Sequence, residues 1–92
     1  MQTTKEPILL KVRSDSDPCK VAGAIAGEVR ECGWAEVRAI GAGAVNQAVK
    51  AVAIAIRYLE ADGIRAVLLP SFAELEVDGE PRTAIRLRVE PR

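Results

Sequence analysis

The sequence predicts an α+β two-layer sandwich with the chain order β-α-β-α-β-β. Its sheet has four strands, is mixed, and takes the order 1-2-4-3, with two helices on one face. Three observations predict it. Short apolar runs at Ile8–Arg13, Trp34–Ile40, Ile64–Leu69 and Arg82–Val89 have the length and pattern of strands. Two longer stretches between the first three runs repeat their apolar residues at the helical period. Asp78-Gly79 joins the last two runs as a two-residue hairpin signal.

At 92 residues the chain is one domain, 1–92, with residues 1–7 expected to be flexible. A chain of this length buries only roughly 60–65% of the surface its unfolded form exposes. The hydrophobic fraction is 49% but aromatics are 3%. The core must therefore be built from Ala, Val, Ile and Leu. Oligomerisation is a common remedy for so modest a core.

Lys+Arg and Asp+Glu both total 13, so the formal net charge is zero. Nucleic-acid-binding domains are usually basic, and here such a site needs local segregation of charge. There is no His, which removes the usual general base and the commonest metal ligand. Cys19 and Cys32, if they share a helix, lie about 20 Å apart along its axis, too far for a disulfide. They read as reduced, semi-buried small hydrophobes of a cytoplasmic protein. The start, MQTTKEP, has no apolar signal region. No run of about 20 apolar residues is present to span a membrane.

In the first strand Ile8, Leu10 and Val12 share one face and Leu9, Lys11 and Arg13 the other. Asp17 is a good N-cap and Pro18 suits the first helical position. The first helix is expected from Pro18 to Cys32, with Val21, Ala22, Ile25, Val29 and Cys32 buried and Gly33 ending it. Gly23 and Gly27 lie inside it at a cost of roughly 0.5–1 kcal/mol each. They point to another backbone, or a ligand, very close by. In the second strand Val37 and Ala39 face one way, Glu36 and Arg38 the other. Helix and strands with short links make a right-handed crossover, so these two strands are parallel.

Gly41-Ala42-Gly43 is expected to turn the chain into a second helix, Ala44 to Ala61. Val45, Ala48, Val49, Val52, Ala55, Ile56 and Leu59 form its core stripe. The opposite side carries Gln47, Ala51, Ile54 and Tyr58, where a solvated face would carry charges. That points to a partner surface, and a two-fold dimer is the simplest arrangement. Asp62-Gly63 ends the helix. Pro70 implies an edge position or a bulge in the third strand. In the last strand Ile85, Leu87 and Val89 point inward, Arg86 and Arg88 outward.

Two features could carry function. Glycines before a helix start leave N–H groups free for an anion, one phosphate of a polymer backbone for example. However, Gly-Ala-Gly-Ala lacks the third glycine of a dinucleotide fingerprint and the Lys-Ser/Thr of a P-loop. A plain tight turn is the other reading. The second feature is the sheet face away from the helices, which gathers Lys11, Arg13, Arg38, Arg86 and Arg88 against Glu36. This is the segregation that nucleic-acid binding requires. A solvated face with cross-strand ion pairs explains the same residues. No stacking aromatics are expected there, which argues against base readout by stacking. No nucleophile–base pair or spaced carboxylate pair is found, so an enzyme is not expected. Neither is a cofactor or a metal.

Three blocks resemble the stage V sporulation protein S family: Val21–Gly27, Ala39–Ile54, and Asp78–Glu80 with Arg82–Ile85 and Val89–Arg92. The likeness runs from Leu9 to Arg92. It implies a bacterial protein of sporulation or developmental regulation. It also implies a fold similar to Alba and to the C-terminal domain of translation initiation factor 3. Both of these bind nucleic acid, Alba as a dimer. In Alba-like proteins the loop before the first helix is basic, whereas here it carries Asp15 and Asp17. The hairpin that reaches DNA in Alba carries Glu76, Asp78 and Glu80 here.

The combined expectation is a cytoplasmic, dimeric or larger, non-enzymatic regulator that binds DNA or RNA. Lys11, Arg13, Arg38, Gly41, Gly43, Lys50, Arg57, Arg86 and Arg88 would meet phosphate. Gln47, Ala51, Ile54 and Tyr58 would form the dimer interface. The alternative is a protein-interaction module on the same fold, favoured by the neutral charge and acidic hairpin.

Overall fold

The Asp78-Gly79 turn has positive φ at both central residues, 53° and 79°. Such a turn matches the twist of the strands it joins, and it closes the longest pairing in the molecule. The structure, a computed structural model, describes residues 6–92. The flexible start expected over residues 1–7 therefore lies mostly outside the described residues. The elements are β1 (Leu9–Val12), α1 (Pro18–Cys32), β2 (Ala35–Ala39), α2 (Ala42–Ala61), β3 (Ala66–Val77) and β4 (Glu80–Pro91). The sheet order is β1-β2-β4-β3, as the sequence predicts. β1 and β2 are parallel, while β4 runs antiparallel to both β2 and β3.

The strands differ in length from expectation. β1 stops one residue short of expectation at each end. β3 and β4 instead reach 12 residues each. Their register runs unbroken from Ala66↔Pro91 to Val77↔Glu80, passing Pro70 opposite Leu87. Pro70 thus marks an edge strand and not a bulge, since an edge tolerates a missing N–H.

α1 has the predicted limits. The Asp17 carboxylate accepts the Cys19 N–H at 2.9 Å, and Gly33, at φ 90°, donates to the Val29 carbonyl. Its glycines do not fit expectation. A β-carbon added at Gly23 or Gly27 would meet nothing within 4 Å among the described residues, so no packed backbone there explains either. α2 begins two residues earlier than expected. Gly41, at φ 91°, is its cap residue, and Gly43 lies in the first turn.

The core lies between the helices and one sheet face, and is wholly aliphatic. Ile25, Leu59, Val37, Val52 and Val89 are its largest fully buried side chains. α1 and α2 pack against each other over small residues. Ala44, Ala48, Ala51, Val52, Ala55 and Leu59 of α2 are buried. The buried stripe of α2 is therefore rotated from expectation. Ala51, expected on the outer side, is fully buried, while Val49 is 44% exposed. Alanine lets the helix axes approach, and the closest approach decides which side is inside. Cys19 and Cys32 lie at opposite ends of α1 and form no disulfide with each other. Cys19 is exposed rather than semi-buried.

Candidate nucleic-acid interface

Strand register assembles the charged face. It sets Lys11 beside Arg38 and Arg38 beside Arg86, a row of cations across β1, β2 and β4. Glu36 stands beside Arg88. Like charges opposite one another repel, and nearby groups relieve them. The Arg38 Nε donates to Glu36 Oε2 at 2.9 Å in a part-buried pair. The Arg86 Nε donates to Ser71 Oγ at 3.1 Å, and the Arg88 Nε to Glu90 Oε1 at 2.7 Å. Lys11 has no hydrogen bond or ion pair among the described residues.

The β3–β4 arm reaches past the carboxyl ends of β1 and β2 and overhangs them. The result is a cleft of about 760 Å³. Lys11, Arg13 and Arg38 line it, with Gly41, Gly43 and Ala44 at the start of α2 and Leu75, Glu76 and Val77 on the arm. Crevices at the carboxyl ends of parallel strands are the usual ligand positions in open sheets. The start of α2 has no side-chain cap, and the first intrahelical bond there is from the Val45 N–H to the Gly41 carbonyl. The preceding N–H groups and the helix dipole favour an anion. Arg13 pairs with Asp15 at 3.6 Å, but both side chains are largely in water, so the pair is weak and readily exchanged.

Five of the expected phosphate-contacting residues thus share one cleft: Lys11, Arg13, Arg38, Gly41 and Gly43. Arg86 and Arg88 line a smaller hollow of about 320 Å³ on the same sheet, with Glu36, Leu69, Pro70 and Ser71. Lys50 and Arg57 are exposed on the outer side of α2. The helical layer separates them from the sheet face, and they do not join this surface.

The expected dimer residues share one flank of α2 but differ in exposure. The Gln47 Nε2 donates to the Ser16 carbonyl at 3.0 Å, holding the loop before α1. Ala51 is fully buried against the core, and Ile54 packs on that core. Tyr58 is exposed. The four do not form one outward surface, because this flank of α2 faces α1.

Sequence reasoning missed Trp34. The Arg88 guanidinium lies 4.0 Å from its ring centroid. The charged face therefore does carry an aromatic, with an arginine stacked on it. The signal was available: Trp34 shares the alternation of Glu36 and Arg38, and antiparallel register brings Arg88 diagonally across. It was hidden because Trp34 sits just before β2.

Among the described residues, no group of three or more His, Cys, Asp or Glu could hold a metal ion, and no helix is long and apolar enough to cross a membrane. The family model described as Stage V sporulation protein S (SpoVS) matches residues 8–92, a span that holds every strand and helix above. The chain belongs to the stage V sporulation protein S family and is a sporulation-related protein.

Proposed function

We propose that this chain is a non-enzymatic regulatory protein that binds nucleic acid through its charged sheet face and the adjoining cleft. One observation carries the reading: Lys11, Arg13 and Arg38 converge on an uncapped helix start, on the sheet that also presents Arg86 and Arg88. A phosphate in the cleft meets cations on one side and backbone N–H groups on the other. Neighbouring phosphates continue along the cation row. Nothing in this arrangement reads bases by hydrogen bonding, so the binding is to backbone more than to sequence. In this reading the protein acts in the cytoplasm.

The test is a titration with duplex DNA and with single-stranded RNA over a range of salt. Binding is expected at low salt, with log K falling linearly in log salt. Lys11→Gln with Arg38→Gln should lower that slope by about one to two, because each lost phosphate contact removes about one. Arg86→Ala with Arg88→Ala should act the same way. No binding at low salt, or a slope that neither pair changes, rejects the proposal.

A second reading rests on the ion pairs Arg38–Glu36, Arg88–Glu90 and Arg13–Asp15, which satisfy the cations within the chain. With the acidic hairpin, these favour a protein-interaction module. A stable protein partner purified without nucleic acid would decide for it.

A further inference from the structure

Trp34 is half-buried just before β2, and the Arg88 guanidinium lies 4.0 Å from its ring centroid. On the other side of Arg88, in register on β3, stands Leu69, which is 37% exposed. A tryptophan, an arginine and an exposed leucine thus form one shelf across three strands, on the sheet face that carries the cation row. Trp34 lies four residues before Arg38, about 13 Å along the strand, so one short polymer reaches from the shelf to the cleft.

The shelf is apolar where the rest of the face is charged. Duplex and single strand differ in what they offer such a surface. A duplex lying on a flat sheet presents phosphate and keeps its base faces stacked inside. A single strand presents phosphates and open base faces together, and proteins meet those faces with aromatic rings and guanidinium planes. Cations alone suit both forms. A tryptophan and a leucine set among them suit the single strand.

Arg88 is held over the ring by a weak pair. Its Nε donates to Glu90 Oε1 at 2.7 Å, but both side chains are partly in water, where such pairs exchange readily. Arg88 also lines the hollow of about 320 Å³ that it shares with Arg86, Ser71 and Glu36. The Glu36 carboxylate there is already engaged by Arg38. A phosphate in the hollow sits between Arg86 and Arg88. A guanidinium drawn to it uncovers the ring face for the neighbouring base.

We infer that the site prefers single-stranded to duplex nucleic acid, and that Trp34 takes one base by stacking where Arg88 rests in the free chain. This rests on the nucleic-acid reading above and names the form of the polymer. Stacking uses the π-face that every base has, so it adds affinity without base readout. The expectation that this face lacks a stacking aromatic gives way to one ring at its edge.

Three oligonucleotides of one length test it at one low salt concentration: a DNA single strand, its duplex, and an abasic strand that has the phosphates without the bases. The wild-type chain should bind the single strand at least about fivefold more tightly than the other two, the lower end of what one stacked base contributes. Trp34→Ala should bring the single strand down to the level of the duplex with the same salt dependence, because no phosphate contact is lost. Trp34→Phe keeps a ring and should retain most of the preference. Polyphosphate has no bases and moves only Arg88, so its effect on Trp34 emission should vanish in Arg88→Ala, whereas the single strand should still quench that variant. The abasic strand and the emission of Arg88→Ala decide the matter even if Trp34→Ala does not fold. No binding of any of the three rejects the nucleic-acid reading and this inference with it. Equal affinity for all three, a single-strand preference indifferent to Trp34→Ala, or no quenching of Arg88→Ala by the single strand overturns this inference and leaves that reading standing.

Discussion

A β-carbon placed on Gly43 would lie 3.0 Å from the Ser14 β-carbon. The start of α2 and the loop after β1 therefore meet with no room for a side chain, at the floor of the cationic cleft. Gly43→Ala should destabilise the fold by about 1 kcal/mol, since the strain of overpacking exceeds the gain in helix propensity near a helix end. Ser14→Gly should remove most of that penalty. Urea denaturation of the four members of the double-mutant cycle should give a coupling of at least about 0.5 kcal/mol. Additive effects would show that the two residues do not touch in solution.

Gly23 and Gly27 should behave in the opposite way. Both have helical neighbours and, among the described residues, nothing where a β-carbon would go. Gly23→Ala and Gly27→Ala should each stabilise the chain by roughly 0.5–1 kcal/mol, through lost freedom of the unfolded state. A drop in stability in thermal unfolding would mean that something does pack on this side of α1.

Ala51 and Ala53 separate core from surface on one helix. Ala51 is fully buried and Ala53 exposed. Ala51→Leu should cost about 1–3 kcal/mol because the α1–α2 contact cannot widen cheaply. Ala53→Leu should stay within about 0.5 kcal/mol. Equal effects in chemical denaturation would contradict the orientation of α2.

Trp34 is the only tryptophan, so its emission reports on Arg88. Arg88→Ala should lower stability by about 0.5–1 kcal/mol, the usual worth of an exposed cation–π contact. A polyanion that engages the sheet face should draw Arg88 off the ring and change the emission of the wild type. The Arg88→Ala chain should give no such change. Binding without any change in Trp34 emission would place the ligand elsewhere.

Much of the interface was legible in one dimension. Strand alternation alone puts Lys11, Arg38, Arg86 and Arg88 on one face, because side-chain direction in a strand is a local property. The cleft was not legible. It exists because β3 and β4 outrun β1 and β2, and strand lengths depend on what each strand pairs with. Trp34 escaped notice for a related reason, since its partner lies on another strand.

The sequence by itself determined the elements, their order, both ends of α1 and the end of α2. Asp17-Pro18, Gly33, Asp62-Gly63 and Asp78-Gly79 act through their own backbone conformations, and the short links leave few topologies. Only the tertiary structure decided which side of α2 is inside. Alanine and valine differ too little in apolar surface for periodicity to choose between Ala51 and Val49. The close approach of α1 makes the choice, by burying the smaller residue and leaving the larger one at the surface.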